Sequence, residues 1–306
     1  MDEEDVVRQF RFTKEDLPHL RSALRIPETL TTNGWVRVSG DEALAIGLRR
    51  LAYLNRLCDL ELMFGRHSST LSIVSNQVHR HIAHTFGHLL RDLTAHSWLD
   101  PDQLDVFAEA VHNQGAPLTN CWGFIDGTAR AMCRPTWHQR KFFSGHKRYH
   151  CTKYQAVMCP NGIIARLDGP YEGCRHDAGI LRESGLYADL EVLMNPKPFV
   201  LYGDPAYPHR ELLQRPFGGA SLTVGQATFN YKMSRVRQSV EWGFGKVATE
   251  FAFLDYKKKQ KLFLQQLPIM YKVGVILTNC HTCLYESQTS KFFSVAPPTL
   301  EEYLTV

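Results

Sequence analysis

Residues 121–128 read Cys-Trp-Gly-Phe-Ile-Asp-Gly-Thr, a short apolar run that ends in a carboxylate and a glycine. Such a run, bounded by turn-forming residues, predicts a buried β-strand over residues 121–125. On its N-terminal side, residues 113–117 read Asn-Gln-Gly-Ala-Pro, which interrupts regular structure. We therefore predict a boundary here, between a domain of residues 1–115 and a domain of residues 116–306.

Further apolar runs at residues 149–159, 163–167 and 199–202 each predict a strand. Asn161-Gly162 between the first two favours a hairpin, and apolar residues after Asp177 recur at helical spacing. A later helix carries a buried stripe at spacings of 4, 4, 3 and 4, made of Val236, Val240, Phe244, Val247 and Phe251. This order of elements predicts an α/β fold with a mixed sheet and covering helices.

The N-terminal region has a different pattern. Leu44, Leu48 and Leu51 recur at helical spacing without an alternating β pattern, so residues 1–115 are predicted to be all-helical. Within about residues 42–90, helices at 57–64 and 69–86 flank a turn at 65–68, which is the arrangement of a helix-turn-helix. The alternative is a helical hairpin that only braces the sheet domain.

The composition is that of an ordinary globular protein, with 44% hydrophobic and 22% charged residues among 306. The 35 basic and 31 acidic residues leave a net charge of +4, which is too small to indicate nucleic-acid binding by itself. Residues 2–5 are all acidic, whereas a signal peptide begins with basic residues followed by an apolar run. No apolar run in the sequence reaches membrane-spanning length. With 8 scattered cysteines, these features predict an intracellular protein with free thiols and no membrane association.

Two aspartates follow predicted strands. Asp126 comes after residues 121–125 and Asp204 after residues 199–202, and each has an alternative interpretation as a turn residue. Carboxylates at the ends of two strands of one sheet converge on one edge, where their repulsion favours a bound cation. The pair therefore predicts a site for a hard divalent metal ion.

Glu241 lies one residue beyond Val240, at the margin of the apolar stripe, so its side chain can reach the same sheet edge. A solvated surface position is the alternative. Arg237, one helical turn earlier, is predicted to orient this carboxylate or clamp a phosphate, with a surface ion pair as the alternative. Three carboxylates holding two Mg²⁺ ions about 4 Å apart suit cleavage or transfer of a phosphodiester bond.

The predicted catalytic and metal-binding residues are thus Asp126, Asp204 and Glu241, with Mg²⁺ or Mn²⁺ as the cofactor. Asp177, preceded by His176, competes with Asp204, but it stands at the start of a predicted helix, where an N-cap role explains it. Asp177, His176 and Arg237 are therefore predicted to be accessory residues.

The motifs around these residues occur in the order found in PIF/Harbinger-type transposases. They are Ile125-Asp126-Gly127-Thr128, Ser144-Gly145-His146-Lys147-Arg148, Gly173-Cys174-Arg175-His176-Asp177 and Gly203-Asp204-Pro205-Ala206-Tyr207. Over about residues 40–304 the chain resembles the DDE nuclease of that superfamily. The resemblance implies an RNase H-like fold, with the first, second and third metal ligands at Asp126, Asp204 and Glu241.

The resemblance also implies action on DNA in the nucleus, with a Myb/SANT-like DNA-binding partner for target choice and nuclear import; additional residence in the cytoplasm and a homo-oligomeric state are left open. Related insertion-sequence transposases carry a Tyr, Arg, Glu, Lys pattern around the third ligand. Arg237 and Glu241 fit that pattern, whereas Ser234 replaces the Tyr and Lys246 falls two residues short of the Lys position.

Basic and aromatic residues cluster between the first two predicted strands of the sheet domain. Arg140, Lys141, His146, Lys147 and Arg148 are predicted to bind nucleic-acid phosphates. The basic run at 257–261 is predicted to be a solvated loop, with a DNA contact as the alternative. The leading hypothesis is a metal-dependent DNA endonuclease or transposase. Its rivals are a domesticated, catalytically silent DNA- or protein-binding factor and a metal-dependent RNA hydrolase.

Overall fold

The computed structural model describes residues 1–32, 34–194, 199–257, 260–261 and 265–305. Its α-helices are α1 (Glu3–Phe10), α2 (Asp16–Ala23), α3 (Gly40–Ala52), α4 (Glu61–Phe64), α5 (Ser68–Phe86), α6 (Pro101–Asn113), α7 (Gln139–Phe142), α8 (Asp177–Ser184), α9 (Leu186–Leu193), α10 (Val224–Arg237), α11 (Ser239–Glu250), α12 (Leu267–Tyr285), α13 (Gln288–Phe293) and α14 (Leu300–Tyr303). Its strands are β1 (Thr29–Thr31), β2 (Arg37–Ser39), β3 (Cys121–Ala131), β4 (Phe143–Ser144), β5 (Tyr149–Met158), β6 (Ile164–Glu172), β7 (Val200–Tyr202) and β8 (Leu213–Gln214).

The main sheet is mixed. Its strands lie in the order β6, β5, β3, β7, β8, and the short β4 pairs with the start of β5. Strand β5 is antiparallel to both of its neighbours, β3 and β6, whereas β7 runs parallel to both β3 and β8. The predicted α/β class and the four predicted strands are confirmed, although β3 continues beyond the predicted end, through Asp126 to Ala131.

The hairpin between β5 and β6 forms at the predicted Asn-Gly turn. The backbone N–H of Cys159 donates to the carbonyl of Ile163 at 3.0 Å, and Gly162 adopts a φ of 83°, which favours glycine. Asn279 of α12 then covers this corner, since its side chain both accepts from the N–H of Ile164 and donates to its carbonyl. The covering helix thereby satisfies backbone groups at the start of the edge strand β6.

The prediction of an all-helical N-terminal region is wrong for one segment. Strands β1 and β2 form a small antiparallel sheet in which Leu30 pairs with Val38. In each strand only the central residue is buried, so the alternation spans three residues and is too short to stand out in the sequence. The rest of the region is predominantly helical, as predicted.

The candidate helix-turn-helix corresponds to a 3₁₀ turn at Cys58–Leu60 followed by α4 and α5. Gly65, with a φ of 61°, ends α4. The inner face of α5 is buried, and this helix packs against α3 and α12. That packing braces the sheet domain, while groove contact by the outer face of α5 stays a prediction.

The predicted long covering helix is divided in two. Gln238 separates α10 from α11, but all five residues of the predicted stripe are buried, and α11 packs against β3, α12 and α13. One apolar core extends from Val6 to Leu304, so residues on both sides of the predicted boundary at 115/116 pack together. That boundary stays a prediction. No helix among the described residues is long and apolar enough to cross a membrane.

Candidate metal centre

Asp126 lies within β3, and Asp204 follows the end of the neighbouring parallel strand β7 by two residues. In the β3–β7 register Phe124 pairs with Tyr202, and each aspartate lies two residues further along its chain. The side chain of Asp126 is only 17% exposed, and burial raises its pKa to about 6. Arg237 opposes this shift, whereas the charges of Asp204 and Glu241 add to it. That these three carboxylates bind one cation stays a prediction.

Glu241 is the third residue of α11 and is exposed. A carboxylate in the first turn of a helix is stabilised by the helix dipole, which offsets part of its repulsion by Asp126. Arg237 ends α10 on the other side of the Gln238 break, and its Nη1 lies 3.4 Å from Oδ1 of Asp126. The predicted accessory arginine therefore contacts the first aspartate in this structure.

Asp204 also has a local turn role. Its Oδ1 accepts a hydrogen bond from the backbone N–H of Ala206 at 2.9 Å, which is the arrangement of an Asx turn. The turn interpretation and the ligand interpretation are compatible, since a carboxylate has a second oxygen.

Asp177 is not the N-cap that its sequence position predicts. His176 is the residue before α8 and Asp177 is the first residue within it. Its carboxylate lies instead against β3, where a Cβ built on Gly127 would be 3.2 Å from Oδ1 of Asp177. Lys153 of β5 lies 3.5 Å from the same oxygen, and His176 is exposed. Adjacent residues of a strand point to opposite faces, so Asp177 lies beside the neighbour of Asp126 in the chain, on the other face of β3 from the Asp126 side chain.

Two residues at this edge were missed by the sequence analysis. Lys153 belongs to β5, whose apolar character hides a lone lysine, and it reaches the site by pairing with Ala129 of β3. Tyr207 ends the motif that begins at Gly203, but nothing in that motif alone indicates that the tyrosine hydroxyl is buried beside aspartates. A tyrosine three residues after a candidate ligand is the one signal that the sequence offers.

The carboxylates fit a hard divalent cation in kind. Oxygen ligands of Asp and Glu are those that Mg²⁺ and Mn²⁺ take. A cation would favour the charged form of Asp126, whose pKa is raised by burial and further by the charges of Asp204 and Glu241. Within the described residues no three His, Cys, Asp or Glu side chains yet converge as ligands. Instead, Asp126 faces Arg237 and Asp177 faces Lys153. Cation binding therefore requires these side chains to turn toward one another.

Lys246 is engaged elsewhere. Its ammonium donates to Oγ1 of Thr282 and to the carbonyl of Glu286, both at 2.9 Å, and burial lowers its pKa to about 8. It lines a cavity of about 520 Å³ between α11, α12 and α13, which Glu241 borders. These contacts give Lys246 a role in joining α11 to α12.

The predicted phosphate-binding residues lie in α7 and in the turn between β4 and β5. All five, Arg140, Lys141, His146, Lys147 and Arg148, are exposed. The carbonyl of Lys141 accepts from the backbone N–H of Cys174, so this basic loop packs against the segment that leads to Asp177. Of the second basic run, Lys258 and Lys259 lie outside the described residues.

Gly173 permits this packing, and we expect Gly173→Ala to lower the free energy of unfolding by about 1–3 kcal/mol. A Cβ there would lie 2.3 Å from the carbonyl oxygen of Phe142 and 2.8 Å from that of Cys151, so backbone would have to move. Urea unfolding measures the effect. The control is Gly245→Ala within α11, where no described atom lies within 4 Å of the new Cβ; there we expect about 0.5–1 kcal/mol of stabilisation. Equal responses of the two variants would contradict the steric argument.

Residues 125–279, just over half of the chain, match the family model described as DDE superfamily endonuclease. The chain belongs to this family. The match begins at the end of the apolar run that precedes Asp126 and ends at Asn279 in α12, so it contains all four carboxylates of the site. Comparison with curated proteins and with solved structures gives no match.

Proposed function

We propose that the chain is an active, divalent-metal-dependent DNA endonuclease of the PIF/Harbinger transposase type, with an RNase H-like catalytic domain. The observation that carries this proposal is the register of β3 with the parallel β7, in which Asp126 and Asp204 each lie two residues beyond the paired Phe124 and Tyr202. Glu241 stands on the covering helix α11. Burial raises the pKa of Asp126, and the charges of Asp204 and Glu241 add to that shift. The strand order, three antiparallel strands followed by two parallel ones, supports the RNase H-like assignment.

In this mechanism Asp126, Asp204 and Glu241 would hold Mg²⁺ or Mn²⁺. Such a cation, when bound, would activate a water or a 3′-hydroxyl for attack and stabilise the leaving oxygen of the phosphodiester. Arg237, now 3.4 Å from Asp126, orients that carboxylate or contacts a phosphate of the strand. Asp177 provides an accessory carboxylate, and Lys153 balances its charge.

The DNA backbone is proposed to run from the carboxylates toward the basic loop. Strand β3 covers the distance, since Ala131 lies five residues beyond Asp126, or about 16 Å at the rise of a strand. The exposed Arg140, Lys141, His146, Lys147 and Arg148 then neutralise phosphates on either side of the scissile bond. These contacts position the strand without reading its sequence.

Target choice is assigned to other parts of the assembly. We propose a Myb/SANT-like partner for sequence recognition and nuclear import, action in the nucleus, and α5 as an additional DNA contact. Phosphate contacts alone make binding tight at low salt and unspecific. A chain whose proposed DNA contacts are to phosphates therefore needs a partner to choose a site.

The test is nicking of supercoiled plasmid by the full chain, with Mg²⁺, Mn²⁺ or EDTA, beside single-stranded DNA and RNA of equal length. We expect nicked plasmid with either cation and none with EDTA. Binding of DNA without cleavage under every condition would favour the catalytically silent binding factor. Preferential cleavage of RNA would instead favour an RNA hydrolase.

A further inference from the structure

The hydroxyl of Tyr207 is a buried polar group without a partner. The residue is 1% exposed, and the hydroxyl makes no hydrogen bond to any described atom. Buried hydroxyls in folded proteins nearly always have a hydrogen-bond partner, and an orphan costs about 1–3 kcal/mol. A hydroxyl left in this condition beside a candidate metal site therefore requires an explanation.

The ring of Tyr207 packs against Gly203, close to the side chain of Ile125. A Cβ built on Gly203 would lie 2.7 Å from Cδ2 of Tyr207 and 2.9 Å from Cγ2 of Ile125. Gly203 and Ile125 each directly precede a candidate ligand in the chain. The backbone N–H of Tyr207 donates to the carbonyl of Asp204 at 3.2 Å, so the backbone that carries the ring is held as well.

Tyr207 and Asp177 lie on the same face of β3. The ring of Tyr207 lies beside Gly203 and near Ile125, the carboxylate of Asp177 lies beside Gly127, and residues two apart in a strand point to the same face. Burial raises the pKa of Tyr207, and the charges of Asp177, Asp126 and Asp204 add to that shift. A tyrosine hydroxyl is a neutral O–H at neutral pH and can donate one hydrogen bond. Acceptor oxygens of the three aspartates are the natural partners at this edge.

We propose that Tyr207 is a positioning residue of the metal centre, whose hydroxyl donates a hydrogen bond to a ligand carboxylate once the cation draws the aspartates together. This inference rests on the proposed function. Groups that orient metal ligands fix the ligand geometry, and their loss costs about 10–100-fold in metal affinity or activity. The unpartnered hydroxyl of Tyr207 is then a hydrogen-bond donor that gains its acceptor when the metal ion binds.

The experiment compares Tyr207→Phe with wild type in the full chain. Mn²⁺ affinity is measured by calorimetric titration, and the melting temperature is measured with and without Mn²⁺. Because phenylalanine keeps the ring and removes only an unpartnered hydroxyl, we expect an equal or higher melting temperature without metal. With Mn²⁺ we expect a dissociation constant about 10–100-fold higher and a correspondingly smaller rise in melting temperature.

Tyr202→Phe is the matched control. The Tyr202 hydroxyl is also buried and unpartnered among the described atoms, but the charges that act on its pKa are those of Arg237 and Cys121. We expect this variant to bind Mn²⁺ like wild type. An unchanged Mn²⁺ affinity in Tyr207→Phe, equal losses in both variants, or a lower metal-free melting temperature in Tyr207→Phe would each overturn the proposal.

The outcome is separable from that of the proposed function. A wild-type chain that binds Mn²⁺ but nicks no DNA would remove the endonuclease proposal, whereas the affinity comparison would still decide the role of Tyr207. A wild-type chain that binds no Mn²⁺ overturns the positioning role directly, whatever activity the nicking assay records.

Discussion

Glu241→Gln is expected to lower metal-dependent nicking at least about 100-fold while the fold stays intact. Loss of a residue that only orients a metal ligand already costs up to about 100-fold, and Glu241 is proposed to bind the metal itself. The residue is exposed near the start of α11, so the amide disturbs little packing. The Glu241→Gln substitution also removes a charge that repels the Asp126 carboxylate. Plasmid nicking at saturating Mg²⁺ measures the loss, and thermal unfolding without metal confirms folding.

Glu191→Gln is the control for that experiment. Glu191 is an exposed carboxylate on α9, and the Glu191→Gln variant is expected to nick DNA at the wild-type rate. If Glu241→Gln nicks as fast as wild type, Glu241 is not a metal ligand and the helix position is a solvated one. Asp204→Asn and Asp177→Asn, assayed in parallel, distinguish the second metal ligand from the accessory carboxylate. Only the variant of the true ligand is expected to lose as much nicking activity as Glu241→Gln does.

Arg166→Met is expected to lower the free energy of unfolding by about 3–5 kcal/mol. Arg166 of β6 is 4% exposed, and its guanidinium binds Asp168 bidentately at 2.9 and 3.1 Å. It also pairs with Asp189 of α9 and donates to the carbonyl of Ser184 at the end of α8. Methionine leaves Asp168 buried without its cation, and burial already raises the pKa of that carboxyl. Urea unfolding measures the change.

Arg175→Met provides the matched comparison, because Arg175 also pairs with two carboxylates, those of Glu172 and Glu183. Its side chain is 41% exposed, so solvent screens both pairs and we expect a change below about 1 kcal/mol. Similar losses in the two variants would mean that burial does not decide the strength of these ion pairs. The Arg166 cluster also anchors α8, which carries Asp177 at its first residue.

Local pattern was sufficient where each residue's role depends on its chain neighbours. The run at 121–125 and the Asn-Gly turn at 161–162 predicted β3 and the β5–β6 hairpin, because strand burial and turn geometry are set within a few residues. The stripe from Val236 to Phe251 predicted the buried face of α10 and α11. The hairpin of β1 and β2 was missed because three residues carry too little periodicity.

The candidate metal site could be predicted from the sequence only in part. Asp126 and Asp204 were found because each follows an apolar run that predicts a strand, and each lies two residues beyond the paired Phe124 and Tyr202. The prediction that Asp126 ends its strand was wrong, because β3 continues to Ala131. The approach of Asp177 to Gly127 was not inferred, since it depends on how α8 docks after β6. The N-cap interpretation of Asp177 was wrong because His176 occupies the N-cap position and Asp177 is the first residue within α8.

The sequence by itself determined the order of strands and helices, the apolar faces that must be covered, and the carboxylates that follow apolar runs, all of which follow from local periodicity and turn chemistry. Only the tertiary structure decided which charges meet. The pair of Arg237 with Asp126 and the pair of Lys153 with Asp177 each join residues far apart in the chain, and the burial of the unpartnered Tyr207 hydroxyl is likewise a tertiary property. Their electrostatic interaction depends on distance and burial, and neither is encoded in any one segment.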